Sequence, residues 1–176
     1  MNKQPLVSII MNCYNGQEYL REALNSVLEQ TYQNWELIFW DNCSNDRSSS
    51  IFEEFNDNRF KYFLANKHTT LYQARNLAIQ KSKGSFVAFL DTDDMWLPNK
   101  LEKQIPLFDD NSVGLVYGNC WLLNRKNIIK KKKIFSKKKL SKGNITKSLL
   151  NDYKIALLTI VIRKAFLNDI TNVFNS

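Results

Sequence analysis

Glycine and proline are scarce, at 5 and 3 of 176 residues, which excludes a linker, a collagen-like chain or a low-complexity segment. Cysteine is scarce as well. Cys13, Cys43 and Cys120 are odd in number, far apart and in no Cys-x-x-Cys pair. That argues against a disulfide framework and a zinc site, and fits a reducing compartment. His68 is the one histidine; it stands in a polar stretch and reads as a surface residue. Long apolar runs are missing too. Ile155–Ile162, interrupted by Thr159, is far short of the roughly 20 residues a membrane span needs. Leu6–Met11 is too short for a signal-peptide core followed by a cleavage site. The expectation is a cytoplasmic chain, with peripheral attachment at the inner face of a membrane left open.

What is present suits one folded domain spanning 1–176, with 44% hydrophobic and 24% charged residues. The formal net charge of +8 raises the question of an anionic partner, whether nucleotide phosphate, nucleic acid or acidic lipid. Apolar runs rich in β-branched and aromatic residues read as strands at Leu6–Met11, Trp35–Trp40, Phe60–Leu64, Ser85–Leu90 and Val113–Tyr117. Helical spacing appears in Tyr19, Leu20, Ala23, Leu24, Val27 and Leu28, in Ile51, Phe52 and Phe55, and in Leu71, Ala74, Arg75, Leu77 and Ala78. Lys83-Gly84 reads as the glycine stop of that third helix, and Pro98 as the opening of a fourth carrying Leu101, Ile105 and Phe108. After Cys120 the character changes. Asn127–Lys142 holds Lys130–Lys133 and Lys137–Lys139 and reads as a mobile loop or irregular hairpin. Tyr153–Ile162 is a further candidate strand, and Arg163–Asn168 the start of a helix.

Strands alternating with helices predict an α/β fold, a three-layer α/β/α sandwich around a mostly parallel sheet. Ligands of open α/β sheets sit beyond the carboxyl ends of the strands. The polar clusters Asn12–Asn15, Asp41–Asp46 and Asp91–Asp94 fall at those ends. In Asp91-Thr92-Asp93-Asp94, three carboxylates within four residues call for a counter-cation. A hard divalent ion, Mn²⁺ or Mg²⁺, takes one or two carboxylates and completes its shell with ligand phosphates. The competing reading is a capping turn in which Asp93 or Asp94 caps the helix at Pro98.

Five segments in order decide between these. They are Val7–Gly16, Ser26–Tyr32, Trp40–Asp46, Ala74-Arg75-Asn76 and Gly84–Asp94. Over Pro5 to Cys120 this series closely resembles the nucleotide-binding half of family 2 glycosyltransferases. The resemblance implies a GT-A fold of the Rossmann-like nucleotide-diphospho-sugar transferases. Residues 5–120 are then the nucleotide-sugar-binding part, and 121–176 an incomplete acceptor-side part with the Lys-rich loop. It implies metal-dependent, inverting transfer of a sugar from a nucleoside-diphosphate sugar, UDP-sugar favoured, to a hydroxyl of a glycan or lipid-linked acceptor in polysaccharide assembly.

By the same resemblance Asn12, Cys13, Tyr14 and Asn15 line the nucleotide. Asp41 and Asn42 read the base, with Asn42 standing where the family commonly has a second Asp. Arg75 lies near the nucleotide, Asp91 and Thr92 support the site, and Asp93 and Asp94 are the pair that contacts metal and ribose. The family's general base belongs to a downstream acidic motif, and Glu102, Asp109, Asp110, Asp152 and Asp169 stand in no such motif. The catalytic base is therefore unassigned, and a fragment that binds donor without transferring sugar is the alternative. A nucleotidyltransferase is disfavoured because Asn12–Gln17 carries no Lys or Arg. Nucleic acid is disfavoured because the aromatic residues are not interleaved with the basic ones. The lysine runs read either as a solvated loop or as a contact for anionic lipid. Cys13 and Cys43 at adjacent strand ends suggest packing before redox chemistry. Trp35, Trp40, Trp96 and Trp121 read as core or pocket wall, with Trp96 placed near the donor sugar.

Overall fold

The computed structural model describes residues 4–123, 132–137, 139–145, 147 and 155–168. Seven-residue strands β1 (Val7–Cys13) and β2 (Trp35–Asp41) form the middle of the molecule. They join β3 (Phe60–Leu64) and β4 (Phe86–Phe89), and helices α1 (Leu20–Leu28), α2 (Ser48–Glu53) and α3 (Leu71–Lys81) cross between them. All pairings among these four strands are parallel, with Val7 opposite both Trp35 and Phe86. Strand β8 (Val161–Arg163) then lies antiparallel to β4, and β5 (Leu115–Val116) antiparallel to β8. The order across the six strands is β3-β2-β1-β4-β8-β5. Among the described residues no helix is long and apolar enough to cross a membrane.

The sheet is buried on both faces, as parallel strands require. Val7, Ile9, Met11, Leu37, Phe39 and Ala88 meet Leu20, Leu24 and Val27 of α1 and Ile51 and Phe52 of α2 on one face. Leu101 of α4 (Lys100–Gln104) and Phe108 of the following 3₁₀ turn join them. Ile10, Ile38, Trp40, Val87 and Phe89 meet Ala74, Ala78 and Ile79 of α3 on the other. The three layers expected from sequence are present. Burial of each such aliphatic side chain contributes about 1.5–3 kcal/mol.

Several boundaries differ from expectation for local reasons. Helix α3 starts at a capping box, where Thr70 accepts from the Gln73 amide and Gln73 accepts from that of Thr70. It ends at Ser82 in extended backbone, so Gly84 is not its stop. A Cβ at Gly84 would lie 2.7 Å from the Leu6 carbonyl oxygen and the Ser8 nitrogen, so the glycine permits close approach of the backbone to β1. There the Gly84 amide donates to Ser8 Oγ, whose hydroxyl donates to Glu36 at 2.7 Å. Helix α4 begins at Lys100, two residues beyond Pro98. The Tyr153–Ile162 stretch yields its strand only at Val161, because the Thr159 hydroxyl turns back on the Ala156 carbonyl at 2.7 Å and closes a 3₁₀ turn at Leu157–Thr159. Residues 148–154 lie outside the described ones. So does much of the Asn127–Lys142 segment, but β7 (Lys132–Ile134) pairs antiparallel with β6 (Trp121–Leu123), so a hairpin is formed. The expected terminal helix is α5 (Ala165–Asn168).

Candidate nucleotide-sugar site

The carboxyl ends of β1, β2 and β4 lie side by side, because β1 pairs with both neighbours in parallel. That register brings Asn12–Gly16, Asp41–Asp46 and Asp91–Asp94 to one edge of the sheet. The first two loops are tied together: Asn42 N donates to the Cys13 carbonyl at 2.8 Å, Asn15 N to Ser44 Oγ at 3.0 Å, and Asn45 N to Asn15 Oδ1 at 2.9 Å. Asn15 and Cys43 adopt positive φ of 54° and 67°, which the two turns require. Gly16 joins the first loop to the third, since a Cβ there would meet Thr92 Oγ1 at 2.8 Å.

Asp41 and Asn42 are buried at the end of β2. Asp41 accepts from Ser44 N and from the Tyr62 hydroxyl, both at 2.7 Å. Burial and this bond to Asp41 push the Tyr62 hydroxyl well above the usual phenol range. The Asn42 amide donates to the Thr69 carbonyl at 2.8 Å and accepts from the Thr69 hydroxyl at 3.0 Å, fixing the start of α3 against β2. A base edge meeting Asp41 or Asn42 would exchange with these groups. Asn12, on the same face of β1 as Ile10, leaves its buried amide nitrogen without a hydrogen-bond partner among the described residues. An orphaned donor at a strand end is suited to a ligand acceptor.

Arg75, one turn into α3, donates to Asp91 at 2.9 Å and is largely buried. This link connects α3 to the acidic loop. Thr92 is half-buried and Asp93 exposed. Asp94 neither caps α4, whose N-cap is Asn99 without a side-chain bond, nor forms an ion pair among the described residues. Its carboxyl is pushed up to about 6, first by burial and then by the charges of Asp93 and Asp91. Burial and then the Asp94 charge raise the Cys120 thiol too. Among the described residues no three His, Cys, Asp or Glu side chains form a ready-made metal cage. With Asp91 held by Arg75, the donor set is a pair of carboxylates, which fits a divalent ion that completes its shell with phosphate oxygens.

Other residues fall elsewhere. Cys13 packs with the core on one face of the sheet and Cys43 with the core on the other, so their side chains are turned apart. The three cysteines are free. Trp96 is buried, and its indole N–H donates to the Leu158 carbonyl at 2.8 Å, so it belongs to the core. Glu102 is bound to the Thr31 hydroxyl and Asp110 to the Ser112 amide. Asp152 and Asp169 lie outside the described residues. His68 was legible only as a surface residue. Its ring lies 4.3 Å from that of Tyr14, and its Nδ1 is 3.0 Å from the Asn42 carbonyl oxygen, so it rims the site.

Comparison with known proteins agrees with this arrangement. The family model described as Glycosyl transferase family 2 matches residues 8–168. Among curated proteins, the chain is 37% identical over 163 residues to the Escherichia coli UDP-Glc:alpha-D-GlcNAc-diphosphoundecaprenol beta-1,3-glucosyltransferase WfgD, covering 93% of this chain and 62% of WfgD. It is 36% identical over 118 residues to the putative teichuronic acid biosynthesis glycosyltransferase TuaG of Bacillus subtilis, covering 66% of this chain and 47% of TuaG. Among solved structures, S. aureus TarS 1-349 in complex with UDP-GlcNAc superposes with a TM-score of 0.79 at 22% identity, over 97% of this chain and 48% of that one. The mannosyltransferase PcManGT from Pyrobaculum calidifontis, in complex with GDP-Man and Mn2+, gives 0.72 at 18% identity, with the same coverage. The fold is therefore the GT-A fold of these enzymes, and the chain belongs to glycosyl transferase family 2.

Proposed function

We propose that this family 2 member binds a nucleoside-diphosphate sugar across the ends of β1, β2 and β4 and serves its transfer to a hydroxyl acceptor, with inversion. The observation that carries the reading is the convergence of three polar loops, joined through Gly16–Thr92 and Arg75–Asp91, around an unpartnered Asn12 amide. The nucleoside would lie over Asn12–Asn15 and the Asp41–Asn42 corner, with Tyr14 offering an exposed ring. Arg75 orients Asp91 and leaves Asp93 and Asp94 to hold Mn²⁺ or Mg²⁺. Such an ion supplies Lewis-acid stabilisation of charge on the departing diphosphate. A uridine nucleotide is favoured by the UDP-Glc in the name of WfgD and the UDP-GlcNAc bound to TarS. A lipid-linked acceptor is favoured by the diphosphoundecaprenol in the former name. The relatives extend beyond the region shared with this chain, and the general base is unassigned.

Calorimetric titration with UDP and GDP, with Mn²⁺ and then with chelator, tests the reading. The expected result is chelator-sensitive binding of UDP that weakens roughly a hundredfold in Asp93→Ala/Asp94→Ala. Equal binding by parent and double variant would remove the acidic loop from the site.

A further inference from the structure

Charge is divided unevenly along the chain. Between Asn111 and Asn151 lie eleven of the 25 Lys and Arg residues and none of the 17 Asp and Glu. Fourteen cations face seventeen acids elsewhere, so the whole positive charge of the chain comes from this stretch. The stretch contains the β6–β7 ribbon, a two-stranded sheet separate from the main one. Its register sets Leu122 opposite Lys133 and Leu123 opposite Lys132. Phe135 N donates to the Cys120 carbonyl, and Asn119 is bonded to Ser136 through both ends of its amide.

Neighbouring residues of a strand point to opposite faces. Trp121, Leu122 and Leu123 are nevertheless 53%, 48% and 44% exposed, and Phe135 is 40% exposed. Apolar side chains therefore stand free on both faces of the ribbon. The other three tryptophans are buried. An isolated two-stranded ribbon is marginally stable in water, and this one invites a surface to lie against. Lys137, Lys139 and Lys142, which follow it in the chain, are exposed. A stacking surface for nucleic acid does not call for consecutive leucines, and an apolar protein face does not call for acid-free lysine runs. A bilayer interface with anionic headgroups suits both: tryptophan and leucine enter the acyl boundary, and lysines meet the phosphates.

We propose that the β6–β7 ribbon, through Trp121, Leu122, Leu123 and Phe135 with the flanking lysines, is a docking element for an anionic phospholipid bilayer. The inference stands on the ribbon's exposure and charge, and holds whether or not the nucleotide site is as proposed.

Co-sedimentation of the chain with vesicles tests it. The chain is expected to pellet with phosphatidylcholine vesicles containing phosphatidylglycerol and not with phosphatidylcholine alone, with a blue shift of Trp121 emission. Leu122→Ser/Leu123→Ser is expected to lower partitioning roughly tenfold, with the unfolding midpoint unchanged. Should that variant fold poorly, Lys137→Glu/Lys139→Glu on the exposed flank is expected to lower binding by a similar factor. Failure of the parent to pellet with anionic vesicles overturns the proposal. So does undiminished pelleting of both variants, or a concentration-dependent dimer that the leucine variant abolishes while its vesicle binding persists.

Discussion

The β1–β4 half and the β5–β8 half are built on different terms. In the first, each strand is followed by a helix that packs back on the sheet, and β1 and β2 are buried along nearly their whole length. In the second, the strands are two or three residues long, the pairings are antiparallel, and β6 is exposed throughout. The first half has enough buried apolar surface to hold three loop clusters in fixed relation. The second contributes one antiparallel strand pair to the sheet edge and carries a basic ribbon apart from the main sheet. Rigidity goes with the proposed donor site in this comparison, and exposed surface with the proposed docking ribbon.

The contrast can be broken most severely inside the first half. Leu24, fully buried between α1 and the sheet, is expected to cost about 2–5 kcal/mol on Leu24→Ala, read by urea denaturation. Gly84→Ala is expected to cost about 1–3 kcal/mol, since its Cβ would press on backbone atoms of β1 rather than on a side chain that can turn away. Asp94 sharpens the comparison in the opposite direction. Its folded-state pKa, about 6, is raised above the ordinary value, so folding favours the protonated form. The stability this gives is complete below about pH 4 and is lost as pH rises through 6. Asp94→Asn should therefore be more stable than the parent at pH 7, by about 1 kcal/mol once the shift is discounted for solvent screening of a partly exposed group. The gap should close as the pH falls towards 4. In the ribbon, Leu122→Ala should leave stability within about 0.5 kcal/mol of the parent, because that side chain is half exposed.

Legibility in the sequence follows the same division. The runs Leu6–Met11, Trp35–Trp40 and Ser85–Leu90 announce β1, β2 and β4 because strands buried on both faces are apolar throughout. Placing Asn12–Asn15, Asp41–Asp46 and Asp91–Asp94 at one edge followed from the alternation of elements, and the structure brings these loops together. The β5–β8 region was harder to read. Val113–Tyr117 pairs over only Leu115 and Val116, and Thr159 diverts the chain into a turn before β8. Gly84 matched a helix stop in sequence, but its role is set by Leu6 and Ser8, far away along the chain. His68 was missed as a site residue because its contacts, Tyr14 and Asn42, are 54 and 26 positions distant, and no local pattern records them. Arg75 and Asp91 are both named by the family resemblance, and only the fold shows that they pair.

The central claim is that one donor site spans three loops of the first half. Amide chemical-shift mapping by NMR on addition of UDP with Mg²⁺ tests it most directly. Shifts are expected at Asn12–Gly16, Asp41–Ser44, Arg75 and Asp91–Asp94, reversed by chelator at the acidic loop and absent from β6–β7. Shifts confined to the lysine-rich ribbon, or no shifts in the acidic loop, would contradict it.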